Sequence, residues 1–425
     1  MKSKVYYGWY IVLASSIVTL VTVGMRMSVG PFFLPILADF DMTRTHLSAI
    51  IAVGMFVYGI AMPLTGYLEK ILSTRFVLIS GAVIVFLSCL WMIYANSVLS
   101  LLLSFGVFLS LGLAFTSPVA LTPVIARWFV NKRGQALFYL ATGSMAGIAV
   151  MNPVFTVLIE LYGWQQTMFI FALTFLALII PTALFVIRED VPPEADRGHE
   201  EDQVKKKSAS SQRYEKELTI KEAVKTLPFW QISLGLFACG YSMNLIGTHG
   251  IPMLVDHGFS EITASFAIGL IGLVAIAGTL LMGKLSDQMP RKNILAVIYL
   301  VRGIGFIFLV WVTTATGLYA VAIIAGFVWA GSNALSSAII TDLYGVRLVG
   351  ILYGWAYFSH QVAATISSLL GGWGYETFQT HFVSFGSAAL VLFVASWISY
   401  RIPLHLKMDD PNYYNPLQEK VVSKM

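Results

Sequence analysis

The chain has 425 residues, 57% of them hydrophobic and 12% charged, with a formal net charge of +5. A soluble domain carries about a quarter of its residues as charges, and no soluble fold of this length has interior enough to hide so much apolar surface. The bilayer must be the solvent. A spanning helix takes roughly 20 apolar residues, so twelve of them with short loops use nearly the whole chain.

In chain order, apolar runs lie at 9–37, 47–68, 74–95, 99–126, 134–159 and 165–187. A second set lies at 229–255, 262–283, 292–313, 317–340, 348–372 and 378–402. Runs this long without period-2 alternation are helices, because only helices and closed barrels satisfy the backbone in lipid. The first run starts near Trp9 after only Lys2 and Lys4, and no A-x-A site follows it. It reads as a spanning helix rather than a cleaved signal.

Between the sets, residues 188–228 are charged, poor in apolar residues, and carry Pro and Ser. They read as a solvated linker with one short surface helix near Leu218–Lys225. The expected organisation is an N-terminal six-helix bundle (1–187), a cytoplasmic linker (188–228), a C-terminal six-helix bundle (229–407) and a cytoplasmic tail (408–425). Cys89 and Cys239 sit in apolar runs, with no metal spacing and no disulfide framework. They read as small buried hydrophobes.

Charge fixes the orientation. Of the 27 Lys and Arg, 24 fall at the chain ends, in the linker and in alternate loops. The opposite loops hold one base, Arg44, beside Asp39, Asp41, Glu160, Asp256, Glu261 and Glu376. The positive-inside rule then places both termini and the linker in the cytoplasm, in a multi-pass protein of the inner (plasma) membrane. The net positive charge is topology and not a nucleic-acid footprint.

Six helices, a linker and six more helices suggest a duplicated bundle. After the eighth run comes GKLSDQMPRK (Gly283 to Lys292), and after the second comes GYLEKILSTR (Gly66 to Arg75). Here the chain resembles the major facilitator superfamily, whose loop between the second and third helices of each half reads G-x-L-x-D-x-x-G-R-K. The second copy matches at Gly283, Leu285, Asp287, Arg291 and Lys292, with Pro290 in place of glycine. The first keeps Gly66, Leu68 and Arg75 but has Lys70 where the acid belongs. The resemblance implies an all-α membrane protein of twelve helices in two pseudo-symmetric bundles. It also gives Asp287 a gating role.

A narrower resemblance, over nearly the whole chain, is to bacterial relatives of the monocarboxylate transporters. It rests on YYGWYIV (Tyr6 to Val12), GMRMSVGPFFLPI (Gly24 to Ile36) and RWFVNKRGQALFYLATGSMAG (Arg127 to Gly147), in that order and spacing. Lactate and pyruvate transporters of that group carry a substrate-binding arginine in the eighth helix, and related oxalate exchangers use a lysine in the eleventh. Here neither run holds such a charge.

Ionisable groups at membrane depth cost about 2.5–3.5 kcal/mol on insertion scales, so each is a functional hypothesis. Arg26 lies past the midplane of the first helix. Its guanidinium could hold a carboxylate through two bonds, or snorkel outward to pair with Asp39 or Asp41 as a gate. Arg302 lies in the ninth helix, which in the superfamily usually packs outside the bundle, and is either an anchor between helices or part of coupling and gating. His360 shares a helix face with Tyr357 and neighbours Gln361. It could bind substrate, take up a proton or serve a bond between helices.

In the seventh helix Tyr241, Asn244 and Thr248 form one polar stripe. In the superfamily this helix lines the central cavity, together with the first, fourth and tenth. His249 and Asp256 follow toward its outer end as a candidate proton-coupling or outer-gate couple. Asn333 in the tenth run could face the cavity or a neighbouring helix.

The expected function is a secondary transporter of a small organic anion, coupled to protons. A neutral or zwitterionic solute is the alternative. No G-x-x-x-x-G-K-[ST] loop is present, so the energy must come from a gradient. A sensor would need a signalling tail, and an intramembrane protease H-E-x-x-H or a placed serine–histidine pair; neither is found. The expected partners are the solute, a co-transported proton and lipid. No cofactor, metal or nucleic acid is implied, and the chain is expected to act as a monomer.

Overall fold

The computed structural model describes residues 6–129, 132–190, 218–286 and 288–404. Asp287, most of the linker (191–217) and the tail from 405 lie outside the described residues.

The first pass is two helices, α1 (Tyr7–Met27) and α2 (Gly30–Asp39), broken at Ser28, with Pro31 in the first turn of α2. Proline is tolerated there because a first-turn N–H has no partner within the helix. The next two helices, α3 (Arg44–Ile71) and α4 (Thr74–Ile93), are opened by Thr43 and Ser73, whose side chains accept the N–H of His46 and Phe76. Then α5 (Val98–Trp128) crosses with a π-helical stretch at Leu102–Leu109 and a break before Pro118.

The long α6 (Arg133–Pro181) holds two passes. They part at Gly163, whose φ of 79° favours a residue without Cβ. A short α7 (Ile220–Ala223) follows, opened by a Thr219–Glu222 capping box, within the stretch Leu218–Lys225 that reads as a short helix in the sequence.

The second half comprises α8 (Leu227–Asp256), α9 (Glu261–Ser286), α10 (Arg291–Trp311), α11 (Ala315–Phe327), α12 (Gly331–Tyr344), α13 (Val346–Phe378) and α14 (Phe382–Tyr400). The pair α11 and α12 forms one broken pass. Nine helical stretches among the described residues are long and apolar enough to span a bilayer. One of them, Gly134–Val186, contains both passes of α6. With α8 and α13, the more polar long helices, an arrangement of twelve passes fits.

The buried apolar side chains fall into two clusters. Each is drawn almost wholly from one half, the first from Ile11 to Ile187 and the second from Ala223 to Ile402. Pairing is the same in both: α1 lies along α6 as α8 lies along α13. The closest approaches are at glycine. A Cβ on Gly143 would sit 2.4 Å from the Ser16 carbonyl oxygen, and one on Gly240 2.1 Å from that of His360. Small residues let backbones meet this way in lipid, where apolar burial does not drive helices together.

The two clusters meet along α3–α13 and α6–α9. Tyr7 and Tyr400 mark one face of the molecule, here the end face; the turn before Arg44 and the end of α8 mark the far face.

A sealed far face and a half-buried arginine between the halves

Along α13, residues seven and eleven apart share a side of the helix. Gly350, Gly354, Gln361 and Gly372 therefore form one line facing the first half. A Cβ on Gly372 would lie 2.1 Å from Ser48 Oγ, and Gln361 packs on Gly59. A Cβ on Gly354 or Gly350 would meet no atom of another helix within 4 Å. The interface is tight at the far face and parts toward the end face.

The far-face seal is polar as well as packed. Arg44 of α3 donates through both terminal nitrogens to Asp256 of α8, at 2.5 and 2.9 Å. His381 Nε2 lies 2.7 Å from the same carboxylate. Thr45 donates its backbone N–H to Glu376 at 3.0 Å, and its hydroxyl donates to the same oxygen. Asp256 lies beyond the apolar run of its helix. Burial alone would raise its carboxyl, but the bonds from His381 and Arg44 outweigh it and hold the group at about 2.

Sequence reasoning paired Asp256 with His249, and the structure does not. His249 Nε2 lies 2.8 Å from the Ser368 carbonyl oxygen, and its ring meets Phe33 edge to face at 5.1 Å. It wedges α2 of one half against α8 of the other. His381, the true partner of Asp256, was missed. The available signal was Arg44, the lone base among far-face acids, which needed an acid across the interface.

Arg26 occupies the last turn of α1, where the break at Ser28 turns it toward the second half. Its Nη2 donates to Gln361 Oε1 at 3.1 Å and Asn244 Oδ1 at 3.3 Å, and its Cζ lies 4.3 Å from the Tyr58 ring centroid. Asn244 is oriented by its own bond to the Gly240 carbonyl at 2.8 Å. The alternative pairing of Arg26 with Asp39 is not made, since Asp39 accepts from Trp164 and Gln165. Among the described residues no carboxylate lies within ion-pair distance of Arg26. Amide oxygens cancel only part of a full charge, so the positive field persists where little water screens it. A cavity of about 30 Å³ adjoins it, walled by Met25, Ile51, Met55, Tyr58 and Phe105.

Gln361 Oε1 also lies 3.1 Å from His360 Nδ1. An oxygen only accepts, so Nδ1 carries the proton in this pairing, and Nε2 is left buried without a partner. Tyr357 stacks on His360 at 4.7 Å and 12°. Arg26, Asn244, Tyr357, His360 and Gln361 are thus brought together.

The remaining residues of the predicted site are elsewhere. Tyr241 turns away to bond Ser387 of α14 at 2.8 Å. Thr248 is buried with an unpartnered hydroxyl. Asn333 Oδ1 lies 3.7 Å from Cys239 Sγ, behind α8. Arg302 is buried in the second half and donates to the Val328 carbonyl at 3.0 Å and to that of Trp329. These carbonyls belong to the turn that breaks the pass between α11 and α12. All these bonds lie within the second half, the geometry of an anchor between helices. Asp287 lies outside the described residues. In the first loop copy the acid is Glu69, one position before Lys70, which accepts from Thr74 Oγ1 at 3.0 Å and Arg127 at 3.1 Å.

The family model of the Major Facilitator Superfamily matches residues 15–368 and 232–412. The chain belongs to that superfamily. Its members are transporters and not enzymes, so this is a multi-pass membrane transporter acting on a small molecule. It is 26% identical to the MFS-type transporter YcxA of Bacillus subtilis (strain 168), over 93% of this chain and 94% of that one. It is 23% identical to monocarboxylate transporter 12-B of Danio rerio, over 94% and 87%. A bacterial homolog of the human lysosomal transporter Spinster, solved in an inward-facing and occupied conformation, shares the fold. The TM-score is 0.72 at 14% identity, covering 97% of this chain and 100% of that one.

Proposed function

We propose that this superfamily member is a secondary active transporter of a small organic anion, a carboxylate, coupled to protons and working by alternating access. The observation that carries the reading is Arg26, a cation between the halves whose oxygen partners are two side-chain amides and no carboxylate. A carboxylate entering beside it exchanges partial for full charge neutralisation and can take two parallel bonds. The relatives named as monocarboxylate transporters support an anion. The missing eighth-helix arginine leaves Arg26 as the cation for it.

Asn244, Gln361, His360 and Tyr357 complete the solute site. Arg44 and Asp256 gate the far face, which is the outer side of an inner membrane, with both termini, the linker and the tail in the cytoplasm. The two bundles, 1–187 and 229–407, rock about the site, and the sealed far face supports an inward-facing state. One chain suffices for the cycle.

Uptake into proteoliposomes tests this. Labelled small carboxylates should enter, faster with an inwardly directed proton gradient, and a protonophore should abolish that acceleration. Uptake of neutral solutes with no competition from any carboxylate would overturn the anion reading.

A further inference from the structure

His381 immediately precedes α14, with 3% of its side chain exposed, and its Nδ1 is buried with no hydrogen-bond partner. Its ring lies 4.4 Å from that of Tyr375, and the Arg44 guanidinium lies 3.9 Å from the same Tyr375 ring. Asp256 therefore receives two donors at once, Arg44 from the first half and His381 from its own half.

The titratable and charged groups around His381 are few. Arg44 comes from α3. His249 and Asp256 come from α8, and His257 follows directly, its ring 6.1 Å away. Tyr375 and Glu376 come from α13, the latter engaged by Thr45. From α14 itself comes only the apolar Phe385. A carboxylate oxygen accepts, so a neutral His381 donates from Nε2 and presents a bare lone pair at Nδ1.

We propose that His381 Nδ1 is a proton-binding site that sets the strength of the far-face gate. A proton taken there from far-face water loosens Arg44 from Asp256 and favours opening of that face. The reason is charge. With His381 neutral, the second half presents the single negative charge of Asp256 to Arg44. With both ring nitrogens protonated, His381 and Asp256 sum to zero, and Arg44 faces a second cation beside Tyr375. The Coulomb attraction that holds the halves at this point is then largely cancelled. Asp256 cannot supply the same switch near neutral pH, because the gate keeps its carboxyl at about 2. The inference rests on the alternating-access reading, with the far face outermost, and on no assumption about the solute.

The test needs no solute, so failure of the anion reading leaves it intact. Spin labels on Asn96→Cys and Thr313→Cys, in exposed far-face turns of the two halves, report the gap across that face. Acidifying the reconstituted full-length protein from about pH 8 to 5 should move the population toward the longer distance. His381→Gln, a neutral donor, should lose the shift, and His381→Lys should hold the long distance at every pH.

A wild type without the shift overturns the proposal. So does a shift that survives in His381→Gln, and one lost in His257→Gln instead would move the site to that neighbour. If His381→Gln does not fold, Arg44→Gln decides: without the guanidinium the distance should be long and indifferent to acid, and a remaining pH response refutes the link.

Discussion

Arg26 of α1 and Gln361 of α13 join the two halves of the molecule by a 3.1 Å bond from guanidinium to amide oxygen. The bond lies where the tight part of the α3–α13 interface ends, with Gln361 on Gly59 and open glycines beyond. Anything that binds Arg26 more strongly than an amide must also change what ties the halves together.

Removing the cation should remove the solute. Arg26→Lys keeps the charge and loses the planar fork, so carboxylate affinity should fall by about 1–3 kcal/mol, the range for a hydrogen bond to a charged group. Arg26→Ala should abolish binding and leave the protein folded. Ligand-induced thermal shift in detergent measures both, and normal binding by Arg26→Ala would remove Arg26 from the site.

Gln361 offers the opposite manipulation. Gln361→Glu places a carboxylate on Arg26 as a built-in counterion, at nearly constant volume. Carboxylate binding should be lost, and the melting temperature without ligand should rise. An unchanged affinity would mean that the solute does not compete for the Gln361 contact.

Arg302 should behave as an anchor. Lysine cannot cap both the Val328 and Trp329 carbonyls with a planar fork, so Arg302→Lys should destabilise by about 1.5–3 kcal/mol, the worth of a bond to a charged group. Affinity in the folded fraction should be unchanged. Calorimetric melting and binding on the same preparation separate the two. A stable variant that cannot bind would move the anion site toward α10.

The Arg44–Asp256 pair has a pH signature of its own. The folded state lowers the Asp256 carboxyl from 3.8 to about 2. A depressed carboxyl contributes stability that is present above its unfolded value, and loses it as pH falls through the folded one. Asp256 should therefore act as an acid switch only between about pH 4 and 2. Arg44→Gln and Asp256→Asn should each loosen the far face, and the exchanged pair Arg44→Asp with Asp256→Arg should restore part of the seal. A double-mutant cycle on cysteine accessibility reads the coupling. Additive single effects would show that the pair does not hold the gate.

The helices were legible in the sequence because lipid leaves the backbone one solution: long apolar runs must be helices, and the predicted runs lie within a few residues of the observed helices. The two loop motifs marked the duplication, because a repeated bundle must turn twice in the same way. Arg26, Asn244 and the Tyr357–His360–Gln361 group could be singled out because polar atoms at membrane depth are costly and few.

What those atoms touch was decided by tertiary structure. Spacing along α8 put Asp256 near His249, but the ion pair formed with Arg44, 212 residues away, and with His381, 125 residues away. Arg26 and Arg302 look alike in sequence, each a lone charge in an apolar run. One meets amide oxygens of the opposite half, and the other meets the carbonyls of a broken helix in its own. A guanidinium binds whichever oxygens the packing of other helices brings to it, and local sequence carries no record of that packing.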